Sequence, residues 1–318
     1  MKSILKEIFS QECLKSKPPV LLDIGASGAI HSYWKDIAKY SVCLAFDADD
    51  RELHIEEKEN SSFKKLIVFN SLVHPEVAGE LDFYLTKSPY CSSALEPDTE
   101  SLSKWAFGDK FVVERKVKLN SVLLPDALKK SGYDYVDWFK TDSQGLDLNL
   151  FLSLPQEIRN KSLVAEFEPG LIDAYKGESK LFSVLAEMSK SVFWLAEFNI
   201  KGSQRISVET LNELSDNEFT RKLISFSHKT SPGWGEMLFI NGCENLTQER
   251  ELLLAWAFAT ITKQHGFALE IAEKGRQSTE CEMFYKLHDF SKAQIRKVSI
   301  LKLIPVIKTK LTKMLGLQ

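Results

Sequence analysis

Asp23 and Asp142 each close an apolar run and each precede a glycine, Gly25 and Gly145. Residues 19–29, PVLLDIGASGA, read as a buried strand that enters a tight small-residue turn and opens a helix. Such a turn lets backbone N–H groups approach a ligand that side chains would block. The next apolar run, SVCLAFD, ends at Asp47, 24 residues after Asp23. An acid at about that distance is placed to hydrogen-bond the hydroxyls of a ribose. Residues 135–154, YVDWFKTDSQGLDLNLFLSL, repeat the arrangement. Val136, Trp138, Phe139 and Thr141 fit a buried strand, and Leu146, Leu148, Leu150 and Phe151 an apolar helix face. Asp142 then either faces the same crevice as Asp23 or caps the helix that follows, and the sequence leaves both open.

Glycines at 25 and 28 do not make the G-x-G-x-x-G spacing of a dinucleotide turn. Asp23 would repel a pyrophosphate and attract the ammonium and sulfonium of S-adenosylmethionine. Methyl transfer from a sulfonium to an alcohol needs the alcohol positioned and relieved of its proton. Asp142, Glu166, Glu168 and His228 are the candidate bases. Glu166 and Glu168 lie two apart on a predicted strand and would share a face, one raising the pKa of the other. His228 is suited by its pKa and lies in a predicted loop, SFSHKTSPGWG. Asp142 and Glu168 rank ahead of it for the site. His31 either borders the cofactor or belongs to a helix face. A divalent cation among Asp142, Glu166, Glu168 and Glu236 has no ligand spacing in its favour, so no metal ligand is assigned.

The segments DIGASGA, AFDAD, CSSALEP (91–97), FKTDSQGLDLNLF, AEFEPGLIDAYKGESKLF (165–182) and GEMLFI (235–240) occur in that order. Over roughly residues 15–242 the chain thereby resembles the FkbM family of S-adenosylmethionine-dependent methyltransferases. The resemblance implies an α/β, Rossmann-like class I methyltransferase fold, a seven-stranded mostly parallel sheet with helices on both faces. It implies O-methylation, commonly of sugar hydroxyls, with S-adenosylhomocysteine as product. It assigns Asp23, Gly25, Ala26 and Gly28 to the cofactor turn, Asp47 to the ribose, and Ser71 and Leu72 to the adenine edge. Asp142, Gln144 and Gly145 match the motif after the fourth strand. Asp47-Ala48 stands where many members carry Glu-Pro, Asp147 where many carry Glu, and Glu236 where Asp is frequent. Tyr90, Ser92 and Ser93 fall by the same placement in the acceptor pocket. Trp105 and Trp234, in predicted loops, either offer flat apolar faces to sugar rings or pack at loop bases.

The chain has 318 residues, 44% hydrophobic and 27% charged, with a net charge of −3. This suits a large α/β domain with an appendage and argues against a nucleic-acid partner. Five scattered cysteines without a C-x-x-C pair suit a reducing compartment. Residues 1–17 read as an amphipathic helix rather than a signal peptide, and no apolar run is long enough to span a bilayer. A methyltransferase domain over 1–243 and a helical extension over 244–318 are expected. Residues 80–87 and 111–119 alternate as antiparallel strands, and 279–289 read as a short helix. Residues 291–318 carry seven Lys or Arg and no acid. They read as a basic amphipathic helix kinked at Pro305, suited either to an anionic membrane surface or to docking on the domain. The expected protein is cytoplasmic, or peripheral on the inner membrane face, and methylates a saccharide or glycolipid. A small-metabolite acceptor and a non-catalytic scaffold are the alternatives, and a nicotinamide oxidoreductase is disfavoured by the glycine spacing.

Overall fold

The computed structural model describes residues 1–26, 30–46 and 62–314. They form two compact units, Pro18–Gly242 and Met1–Lys17 with Cys243–Gln318. The strands are β1 (Val20–Ile24), β2 (Val42–Phe46), β3 (Lys65–Phe69), β4 (Leu72–His74), β5 (Gly79–Thr86), β6 (Val113–Leu123), β7 (Trp138–Thr141), β8 (Val164–Phe167), β9 (Phe193–Gln204) and β10 (Thr230–Asn241).

The first unit, Pro18–Gly242, is a mixed α/β fold of Rossmann-like type. Its main sheet has seven strands in the order β3-β2-β1-β7-β8-β10-β9, and β10 alone runs antiparallel to its neighbours. β1 and β2 are buried at every position and β7 at all but Lys140, because a parallel sheet is covered on both faces. On one face Leu22, Leu44, Phe139 and Phe167 meet the helices Leu124–Ser131, Asp147–Ser153 and Leu181–Met188. On the other face the described residues after the glycine turn form 3-10 turns, Ser32–Trp34 and Ala38–Tyr40, where an α-helix was expected. Trp34 and Ile37, three apart and fully buried, suit the three-residue period of that helix type. β5 and β6 pair antiparallel as their alternation indicates, and β4 joins them in a separate three-stranded sheet.

The predicted loop before the last strand is otherwise organised. Helices Val208–Leu214 and Glu218–Ser227 fill the connection from β9 to β10, and β10 begins at Thr230, so Trp234 is a strand residue. Glu218–Ser227 carries Phe219, Leu223 and Phe226 at helical spacing, a period the sequence reading passed over, yet none of its residues is buried.

The second unit is helical. Residues 1–17 form two short helices, Lys2–Ile8 and Glu12–Ser16, and group with the C-terminal helices, not with the sheet to which the sequence reading attached them. Leu5, Ile8, Phe9 and Leu14 supply the buried face. Arg250 Nε donates to Lys17 O at 2.8 Å, and Cys13 Sγ donates to Glu249 at 3.6 Å. Glu249–Ile261 is buried at every position from Leu252 on, and His265–Ser278, which the sequence reading did not identify, packs beside it. Met283–Met314 is one helical segment that passes through Pro305 and absorbs the predicted short helix. Among the described residues no helix is long and apolar enough to cross a membrane.

Candidate functional site

The strand order reverses between β1 and β7, and in open α/β sheets ligands bind beyond the carboxyl ends of the strands at such a point. The two ends are locked together. Asp142 N donates to Ile24 O at 2.9 Å, and a Cβ on Gly25 would overlap the Asp142 carbonyl. Gly25 N and Ala26 N both donate to Phe46 O, at 2.9 and 3.2 Å. These two amides therefore serve the sheet, where the sequence reading gave them to a ligand. Gly28 and Asp47, also assigned to the cofactor, lie outside the described residues.

Asp142 does not cap the next helix. Its Oδ1 accepts from Gln144 Nε2, and the helix Asp147–Ser153 has no side-chain cap. Gln144 holds a left-handed backbone, φ 56°, the kind of strain that persists where surroundings over-determine it. Tyr175 Oη lies 2.9 Å from both Gln144 Oε1 and Cys91 O, and Ser93 Oγ donates to Gln144 O at 2.8 Å. Asp147 braces the turn from beneath. It accepts from Thr141 Oγ1 (3.1 Å), Ser143 N (2.9 Å) and Ser143 Oγ (2.5 Å), and through Oδ2 from Glu168 N at 2.7 Å. One buried carboxylate thus ties the end of β7 to the end of β8.

Glu166 and Glu168 do not share a face. β8 stops at Phe167, so the strand alternation that would align them ends between them. Glu168 lines a cavity of about 1290 Å³ together with Asp142, Gln144, Tyr175, Tyr90 and Trp234. Burial raises both Asp142 and Glu168: Asp142 reaches about 6, with Lys140 opposing and Asp147 adding to the rise, and Glu168 reaches about 9, with Asp142 and Asp147 adding to it. The pair therefore holds one proton across the neutral range, with Glu168 the tighter holder.

Six sequence candidates stand off the cavity wall. His228 is exposed at the end of Glu218–Ser227, its Nδ1 2.6 Å from Ile224 O. Trp105 stacks under the Arg205 guanidinium at 5.3 Å. Ser92 Oγ accepts from Thr86 N at 3.1 Å, and Ser93 is 1% exposed, so both brace the wall from behind. Ser71 follows β3 and Leu72 opens β4, both half-buried and outside the cavity lining. Among the described residues no group of three His, Cys, Asp or Glu forms a metal site.

The sequence reading missed Lys140. In register across β1, β7 and β8, Asp23, Lys140 and Glu166 form a buried row of charge. Lys140 Nζ is 2.7 Å from Asp23 Oδ1, so Asp23 already has a cation. Burial opposes the charge on Lys140, but Asp23 and Asp142 outweigh it and hold the ammonium firmly protonated. Glu166 accepts from Trp138 Nε1 at 2.5 Å and lies 3.5 Å from His31 Nε2. Burial, then Lys140, lowers His31 to about 4, so it is neutral at pH 7. Burial pushes Glu166 up to about 7. A carboxyl with a raised folded pKa binds its proton more tightly in the folded state, so stability falls as pH rises from about 4.5 to about 7. Glu166→Gln removes that slope. Its unfolding midpoint should match the native chain's at pH 5 and exceed it at pH 8 by an amount equivalent to about 2 kcal/mol. Urea titrations at the two pH values check this, and parallel pH profiles would contradict it.

Comparison of the chain with protein-family models, with curated proteins and with solved structures finds no match in any of the three.

Proposed function

We propose that this chain is an S-adenosylmethionine-dependent O-methyltransferase whose acceptor is a saccharide hydroxyl. The observation that carries the proposal is that two buried carboxyls, Asp142 and Glu168, line a large cavity beside the β1–β7 reversal. The resemblance of the surrounding motifs to the FkbM family points the same way.

The residues present fit such a donor. Asp142, desolvated and ionised at pH 7, offers its negative charge to a sulfonium close to it. When bound, the donor supplies a methyl group on a cationic sulfur that departs as a neutral thioether. The chain's own work is at the acceptor. Asp142, ionised above about pH 6, accepts the hydroxyl proton as the oxygen forms its bond to the methyl carbon. Glu168, still protonated, donates a hydrogen bond to a neighbouring acceptor oxygen and fixes the sugar's orientation. Gln144 and Tyr175 hold Asp142 in place, and Trp234 offers an apolar face to a ring. A cavity of about 1290 Å³ exceeds the usual range of about 300–1,000 Å³ for small ligands, which favours an oligosaccharide-sized acceptor over a small metabolite.

Incubation with methyl-labelled S-adenosylmethionine and fractionated glycans tests the proposal. Alkali-stable methyl incorporation into a saccharide fraction is expected. Its rate should rise through about pH 6 as Asp142 ionises and fall through about pH 9 as Glu168 loses its proton. Labelling confined to protein or to small metabolites would contradict the acceptor class.

A further inference from the structure

All the cations of the cavity lining, and two of its acids, stand at its exposed rim, and of the buried lining acids Glu178 is paired with Lys180. The cavity floor carries Asp142 and Glu168, and its mouth carries Lys87, Lys110, Arg221 and Lys222 with the acids Asp109 and Glu218. Two of the four cations are already matched. Lys87 Nζ lies 3.1 Å from Asp109, and Lys222 Nζ lies 2.8 Å from Glu218. Lys110 and Arg221 have no carboxylate ion pair among the described residues. Arg221 Nη1 is aimed by the carbonyls of Ser215 and Asp216, at 3.0 and 2.9 Å, which fix the guanidinium without neutralising it.

The two walls of the mouth face each other. Lys87, Asp109 and Lys110 come from the connection between β5 and β6, and Glu218, Arg221 and Lys222 from the helix inserted between β9 and β10. Glu218 feels the charges of Lys222 and Arg221 on its own helix and of Lys87 across the mouth, and Lys222 feels that of Asp109. A ligand between them meets an excess of positive charge above an acidic floor.

We infer that the acceptor is a phosphate-bearing saccharide, with its reacting hydroxyl at Asp142 and its phosphate held at the mouth by Lys110 and Arg221. This rests on the acceptor assignment proposed above and narrows it to an anionic substrate class. A phosphate matches the guanidinium fork and an ammonium together, and a neutral glycan would leave both unmatched. Tyr90 and Phe226, 65% and 75% exposed, line the same rim, so an apolar chain on the phosphate would also find contact.

Titration calorimetry of the whole chain at low salt tests the inference with glucose, glucose 1-phosphate and the decyl phosphodiester of glucose. Both phosphorylated probes should bind at least about tenfold more tightly than glucose, the order set by one or two charge-assisted contacts. Raising the salt should narrow the difference. Lys110→Ala with Arg221→Ala should bring glucose 1-phosphate to the affinity of glucose. A tighter decyl diester identifies a lipid-linked acceptor, and equal phosphorylated probes a soluble one, both within the inference. Equal binding of glucose and glucose 1-phosphate, or a preference for glucose 1-phosphate over glucose that survives the double variant, overturns it. S-adenosylhomocysteine titrated in parallel separates the two levels. Its binding without phosphate preference ends this inference alone, and its failure to bind ends the enzymatic reading.

Discussion

Asp142→Asn should fold like the native chain and lose about 10²- to 10⁴-fold in methyl-transfer rate at pH 8, the span attributed to a positioned general base. The amide is isosteric, but it cannot take a proton. The loss should fall on kcat more than on KM, because Gln144, Tyr175 and Trp234 still shape the pocket. The rise in rate through about pH 6 should vanish with it, since that limb is assigned to Asp142. Steady-state kinetics across pH 5–9 on the acceptor fraction identified by labelling make the measurement. A variant that retains more than about a tenth of the native rate would remove Asp142 from the chemistry and return the role to Glu168.

Gly25→Ala should be the most damaging single methyl group that can be added to the sheet's end. Gly25 has φ +77°, and an added Cβ would overlap the Asp142 carbonyl, backbone that no side-chain rotation can move aside. The close approach exists because Asp142 N is bonded to Ile24 O, so relief would require breaking the register of β1 on β7. Gly132 supplies the control. Its φ is +82° and nothing lies within 4 Å of the added carbon, so its alanine variant meets the backbone strain alone. Gly132→Ala should cost about 1 kcal/mol and Gly25→Ala about 3 kcal/mol or more, with loss of cofactor binding in the second only. Urea unfolding of the two variants beside the native chain reads the difference. Equal costs would mean that the turn yields more freely than its contacts imply.

Much of the central sheet was legible in the sequence for a physical reason. β1, β2 and β7 are short, largely apolar runs, each followed directly by a Gly or Asp, and parallel strands covered on both faces leave that mark. The place of Asp142 followed from it. The companion assignment of Glu166 and Glu168 to one face failed because it depended on where β8 stops, and boundaries are set by tertiary bonds such as that from Glu168 N to Asp147. Partners across strands were equally hidden. Lys140 lies 117 residues from Asp23, and only the register of β1 on β7 brings them together. The pocket's outer wall had a signal that was passed over: Phe219, Leu223 and Phe226 recur at helical spacing in the segment read as a loop, although the helix they form buries none of them. His228 and Trp105 were chosen by residue type, and type says nothing about which side of a wall a residue occupies.

The central claim is that the crevice beyond β1 and β7 holds a methyl-donating nucleoside. Titration calorimetry of the intact chain with S-adenosylhomocysteine, beside NAD as comparator, tests it most directly. A single site of micromolar or tighter affinity for S-adenosylhomocysteine, absent for NAD and lost in Gly25→Ala, is the predicted result. No heat with S-adenosylhomocysteine from a folded chain, or an equal response to NAD, would contradict the account at its base.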